Sequence, residues 1–79
     1  MESIIKAIPQ EDYKIKIVTS NGITGIFNVM PYLKGTAFKQ LTDESYFWQV
    51  KPVHHGIRWP NDQDFSSDTI IWDSLKGPY

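Results

Sequence analysis

The chain has 79 residues, a net charge of −1, 41% hydrophobic and 14% aromatic side chains. That is too apolar and aromatic for a disordered segment, and 22% charged residues is ordinary for a globular domain. There is no cysteine, which excludes a disulfide framework, a thiolate metal site and a thiol nucleophile.

The length argues for a single domain over residues 1–79. A chain this short buries only roughly 60–65% of its unfolded surface, so a shallow groove or flat face is easier to build than a deep cleft. Residues 1–40 hold five lysines and three acids, and residues 41–79 hold three basic residues and six acids. Neither half has the basic excess of a phosphate-gripping domain. No run approaches the ~20 apolar residues of a membrane span, and the N-terminus lacks a signal-peptide pattern. A soluble, cytoplasmic protein is expected.

In chain order, residues 3–8 are rich in β-formers, with Pro9 expected to end the strand because it has no N–H to donate. Gln10-Glu11-Asp12 is a polar turn. In residues 13–18, Tyr13, Ile15 and Ile17 alternate with Lys14 and Lys16, the period of a half-buried strand. Asn21-Gly22 between apolar runs is a hairpin signal, since both residues tolerate positive φ. Residues 23–29 form the returning strand, with Ile23, Gly25, Phe27 and Val29 on one face and Gly25 marking a bulge or close packing.

Residues 35–41 predict a short helix with Phe38 and Leu41 one turn apart and Thr36 as N-cap. After a turn at residues 42–45 come Tyr46, Phe47 and Trp48. Residues 48–53 predict an edge strand because of Pro52. His54-His55-Gly56 is a turn, residues 57–59 a short strand, and residues 61–64 a polar loop. Ser66 is the expected N-cap of a C-terminal helix over residues 67–75. Asp68 lies in its first turn, and Phe65 and Ile70 are spaced as a hydrophobic staple. Gly77 and Pro78 stop that helix. The order β-β-β-α-β-β-α predicts an α+β domain: an antiparallel meander of about five strands, a middle helix and a C-terminal helix.

Four groups could carry chemistry. His54 and His55 are potential bases or metal ligands, but neighbours on a strand point to opposite sides, so a turn is the simpler expectation. Asp62 and Asp64 alternate so as to place two carboxylates on one side, as a Mg²⁺ site requires; the plain alternative is turn and helix-start chemistry. Arg58 and Trp59 are interface-anchor residue types, but the favoured reading for Trp59 is a core position in its short strand, with Arg58 facing solvent. Tyr46, Phe47, Trp48, Trp59 and Trp72 could form a base-stacking platform, but only Lys51 and Arg58 lie near them and such platforms need interleaved cations. There is no G-x-S-x-G, Gly-rich phosphate loop or H-E-x-x-H.

The run Trp59-Pro60-Asn61-Asp62-Gln63-Asp64-Phe65-Ser66 resembles the W-P-N-G-x-D-[LIF]-[SA] signature of a small bacterial family, domain of unknown function 2442. The early hairpin around Asn21-Gly22, the Pro31-Tyr32-Leu33 stretch with Phe38 and Leu41, and Phe47 fit the same family. The departure is Asp62, where the family carries Gly; if that position needs positive φ, Asp tolerates it better than most residues. The resemblance implies the meander already derived and no activity. Genes of the family are often paired with a second small gene, in a layout similar to toxin–antitoxin pairs, which implies a protein partner. Some relatives resemble fusions to a helix-turn-helix domain; no such extension is expected here, so DNA binding is not carried over.

These readings lead to a non-enzymatic interaction module, antitoxin-like, with a binding face of Arg58, Trp59, Asn61, Asp62 and Asp64 and no cofactor. A metal-dependent enzyme or metal binder using Asp62 and Asp64 is the alternative. Nucleic-acid binding through Lys14, Lys16, Lys34 and Lys39 is a further one. Residues 48–53 could also pair with a second copy as an edge strand.

Overall fold

The computed structural model describes residues 3–75, with side chains through Asp73. Six strands and two α-helices alternate with short 3₁₀ segments: β1 Ile4–Gln10, β2 Lys14–Thr19, β3 Thr24–Asn28, α1 Glu44–Phe47, β4 Lys51–Val53, β5 Gly56–Arg58, β6 Asp64–Ser66 and α2 Ser67–Leu75. The α+β class and the meander hold. The strands, however, form two three-stranded antiparallel sheets, β1-β2-β3 and β4-β5-β6, in place of one.

The first sheet follows from the alternation in β2. Ile15 and Ile17 are buried while Lys16 between them is exposed. Phe27 lies opposite Ile15 and joins the same buried face. Pro9 does not end β1: it pairs with Ile15, and the strand continues to Gln10. An outer strand tolerates this because β1 has a ladder on one side only. The sheet's irregularity is in β1 at Ile5, between Ile4 and Lys6, and not at Gly25, which pairs regularly with Ile17.

The β2–β3 turn is a three-residue loop. Gly22 N–H donates to the Thr19 carbonyl (3.0 Å), and Thr19 N–H donates to the Ile23 carbonyl (2.9 Å). Only Gly22 has positive φ, +82°, so Asn21 does not share the left-handed conformation expected of both. Three-residue hairpin loops are commonly built in this way, with a residue of positive φ closing the turn. At the other end, Asp12 and Tyr13 both adopt positive φ (62° and 59°). For Tyr such a conformation persists only where surroundings fix it. Here the Tyr13 hydroxyl donates to the Thr42 carbonyl (2.5 Å), and its ring meets Phe47 edge-on at 5.2 Å.

The middle segment differs in kind from the expected α-helix. Thr36–Thr42 is 3₁₀, with Gly35 rather than Thr36 at its N-cap and no side-chain cap. The α-helix in this region is α1, where a turn was expected. Its cap is Asp43, whose carboxylate accepts from Ser45 N–H (3.0 Å). Trp48 therefore ends α1 and is not a strand residue, and β4 is confined to Lys51–Val53 with β1 lying alongside it.

The segment after β5 holds a strand that alternation could not show. Asp64, Phe65 and Ser66 pair with Arg58, Ile57 and Gly56. Ser66 is both the last residue of β6 and the cap of α2: its Oγ accepts from Thr69 N–H (3.3 Å). Phe65 and Ile70, the staple positions, both enter the core. Residues 77 and 78, and the side chain of Leu75, lie outside the described residues. Among the described residues no helix is long and apolar enough to cross a membrane.

The core is one cluster spanning both sheets. Phe65 is its centre: Phe38 stacks on it (4.8 Å, 9°), and Tyr32, Phe27 and Trp59 meet it at 4.9, 5.0 and 6.0 Å, edge-on. Such aromatic pairs contribute about 0.5–1.5 kcal/mol each beyond burial. Helix α2 packs on β3, β5 and β6, bridging the sheets.

Candidate functional site

The loop from Trp59 to Gln63 joins β5 to β6, and its hydrogen bonds repeat those of the β2–β3 turn. Asp62 N–H donates to the Trp59 carbonyl (3.0 Å), and Trp59 N–H donates to the Gln63 carbonyl (2.9 Å). Pro60 takes the second turn position, which its fixed φ favours. Asp62 takes the place that Gly22 holds in the other hairpin, with φ +72°. The positive φ anticipated at Asp62 is thus present, and its cause is the turn.

Two residues tie the loop down from below. Asn61 N–H donates to the Tyr46 hydroxyl (2.7 Å), which donates to the Gln63 side-chain carbonyl (2.6 Å). The Asn61 and Gln63 amides both donate to Gln40 Oε1 (2.8 and 3.1 Å). The clamping roles of Gln40 and Tyr46 were not anticipated: polar contacts between residues 15 to 23 apart leave no periodic trace in a sequence.

The five expected face residues separate into two groups. Trp59 is a core residue, 1% exposed, with its indole N–H donating to the Phe47 carbonyl (2.9 Å). Asn61 faces solvent but spends its amide on the clamp. Arg58, Asp62 and Asp64 are exposed. Arg58 Nε lies 3.8 Å from Asp62 and is the register partner of Asp64. Among the described residues Asp62 is the carboxylate within ion-pair distance of the guanidinium, and Asp64 is Arg58's neighbour in the ladder. With the Asp62 side chain 82% exposed, that ion pair contributes little to stability.

Arg58 also pairs with Lys51 across β4–β5, so Lys51, Arg58 and Asp64 form one outward row. Beside this row is an open cavity of about 260 Å³, with Val53, Trp59 and Pro60 as apolar lining and Gln49, Lys51, Arg58 and Asp62 as polar lining. Two cations opposite each other repel unless an anion intervenes, and Asp62 reaches only the Arg58 side.

The remaining candidates are scattered. His54 and His55 form the β4–β5 turn and are exposed. Their rings touch edge-on at 4.1 Å, against the expectation that they point apart, because the turn does not alternate as a strand does. Among the described residues no three His, Asp or Glu side chains are grouped to hold a metal. Tyr46, Phe47 and Trp59 are buried, whereas Trp48 and Trp72 are 51% and 63% exposed, so the five aromatics do not form one stacking platform.

Neither a curated protein nor a solved structure matches the chain. A family model described as protein of unknown function (DUF2442) matches residues 4–74, and the chain belongs to that family.

Proposed function

We propose that the chain is a non-enzymatic protein-interaction module, an antitoxin-like partner of a second small protein. The observation that supports this reading is the cavity beside Lys51, Arg58 and Asp62. It combines an apolar lining with a charged rim, the make-up of a pocket that receives one anchoring side chain at an interface. Its loop wall is held by the Gln40–Tyr46 clamp, so little ordering cost remains to be met on binding. The Lys51–Arg58 pair favours a partner that brings a carboxylate.

The test is co-expression with the product of the neighbouring gene, followed by co-purification and isothermal titration. A one-to-one complex weakened at least about tenfold by Arg58→Ala, about 1.4 kcal/mol, with an unchanged melting curve, supports the reading. Failure of the two proteins to associate at tens of micromolar refutes it.

A further inference from the structure

The outer face of the first sheet is a separate surface on the far side of β1–β3 from the core. The ladder places Ile8, Lys16 and Ile26 in one row across the three strands, with Lys14 in the row on one side and Lys6 beside Val18 in the row on the other. Ile8 and Ile26 are 44% and 45% exposed. They are two strand spacings apart, about 9.6 Å, and the methylene stem of Lys16 lies between them, giving an apolar strip with its ammonium in water. Strands β1 to β3 bring three lysines to this face and no carboxylate; Glu11 and Asp12 lie beyond it, in the turn. A solvated sheet face is normally polar at its centre. This one is apolar at its centre and cationic on its flanks.

We propose that this face docks an acidic amphipathic helix of a partner protein. Side chains at i and i+7 of a helix are about 10.5 Å apart, matching the Ile8–Ile26 separation. A helix laid across the strands along this strip has a radius of about 5–6 Å with its side chains. Lys6 and Lys14 sit about 7 Å to either side of the strip, where acidic residues flanking the helix's apolar stripe would meet them. A second copy does not fit, because two such faces would bring their lysines together. Nucleic acid fits less well: the face has no aromatic side chain for a base to stack on, and its centre is apolar. Three strands by about five residues is roughly 14 × 17 Å, a small interface, so the complex is micromolar and transient.

The experiment uses the whole chain and a fluorescein-labelled peptide of about 18 residues, ~27 Å as a helix. The peptide carries leucines at i, i+3, i+4 and i+7 with flanking glutamates, and a twin has lysine for every glutamate. Anisotropy at low salt is expected to show micromolar binding of the acidic peptide and none of the twin. Lys16→Glu and the pair Ile8→Thr with Ile26→Thr each weaken it about tenfold while keeping the wild-type melting curve. Arg58→Ala leaves it unchanged, which separates this surface from the cavity. Four results overturn the proposal: no binding of the acidic peptide, equal binding of the twin, indifference to the face variants, or tighter binding to single-stranded DNA, anionic phosphatidylserine vesicles or a second copy.

Discussion

Replacing Gly56 by Ala is predicted to cost this domain a large part of its stability. Gly56 opens β5 and pairs with Ser66 of β6. A Cβ added there would lie 2.0 Å from the Phe65 carbonyl oxygen, 3.0 Å from its carbon and 3.1 Å from Ser66 Cα, all backbone atoms. Ordinary contact begins near 3.4 Å, so β6 must withdraw by 1.4 Å at that point. The β5–β6 ladder has only three residue pairs to absorb it. Each ladder hydrogen bond lost costs about 1 kcal/mol. Partial withdrawal of Phe65, on which Phe27, Tyr32, Phe38 and Trp59 all pack, adds about 1–2 kcal/mol, a fraction of the cost of exposing the whole ring. The sum, roughly 3–5 kcal/mol, is large against a typical total of about 5–15 kcal/mol. For a domain of this size it lowers the melting temperature by roughly 15–30 °C. Circular dichroism against temperature and urea measures it. Gly22→Ala is the control: nothing lies within 4 Å of its added Cβ, and only the φ of +82° opposes it, so about 1 kcal/mol is expected. If Gly56→Ala proves no worse than Gly22→Ala, the close approach of β5 to β6 is refuted.

Two further predictions concern polar groups. The Tyr32 hydroxyl donates to the Asp73 carboxylate on α2, and that hydrogen bond, then burial, then the negative charge push its pKa up from 10.0 to about 12. The folded state therefore holds this proton more tightly than the unfolded chain. The contribution is complete below pH 10 and is lost as pH rises from 10 towards 12. Tyr32→Phe should thus lower stability by about 1 kcal/mol near neutrality, and the gap from wild type should shrink above pH 10; a gap independent of pH in urea titrations would contradict it. Asp62→Val should destabilise by about 1–2 kcal/mol, because a β-branched residue strains at φ +72°, whereas Asp62→Gly should lose nothing; equal melting temperatures for the two variants would remove the turn explanation.

The β2–β3 turn, the inward faces of β2 and β3 and the capped start of α2 were legible in the sequence because each rests on neighbours within a few residues. Asn21-Gly22, the Ile15/Ile17 alternation, and Ser66 between Phe65 and Ile70 are such signals. The second sheet was not legible as a separate sheet. Its strands have three residues each, too few to display a period, and Phe65 is the only buried residue of β6. Pro9 misled because a proline's cost depends on whether a strand has a partner on both sides, a tertiary fact. In the candidate site, Arg58 and Asp62 come within 3.8 Å because the tight turn between β5 and β6 brings them back to the same end, and Asp64 pairs with Arg58 in the ladder. The burial of Trp59 and the spending of Asn61 on Gln40 were decided by residues distant in the chain.

Strand β6 passes into α2 with no intervening residue: Ser66 ends one and Ser67 begins the other. Ser67 is itself buried, and its N–H is held by the His55 carbonyl (2.6 Å). The helix therefore starts directly from the strand, with no linker residues between them. The first turn of α2 is thus fixed from two directions, through the chain by β6 and across it by the turn between β4 and β5.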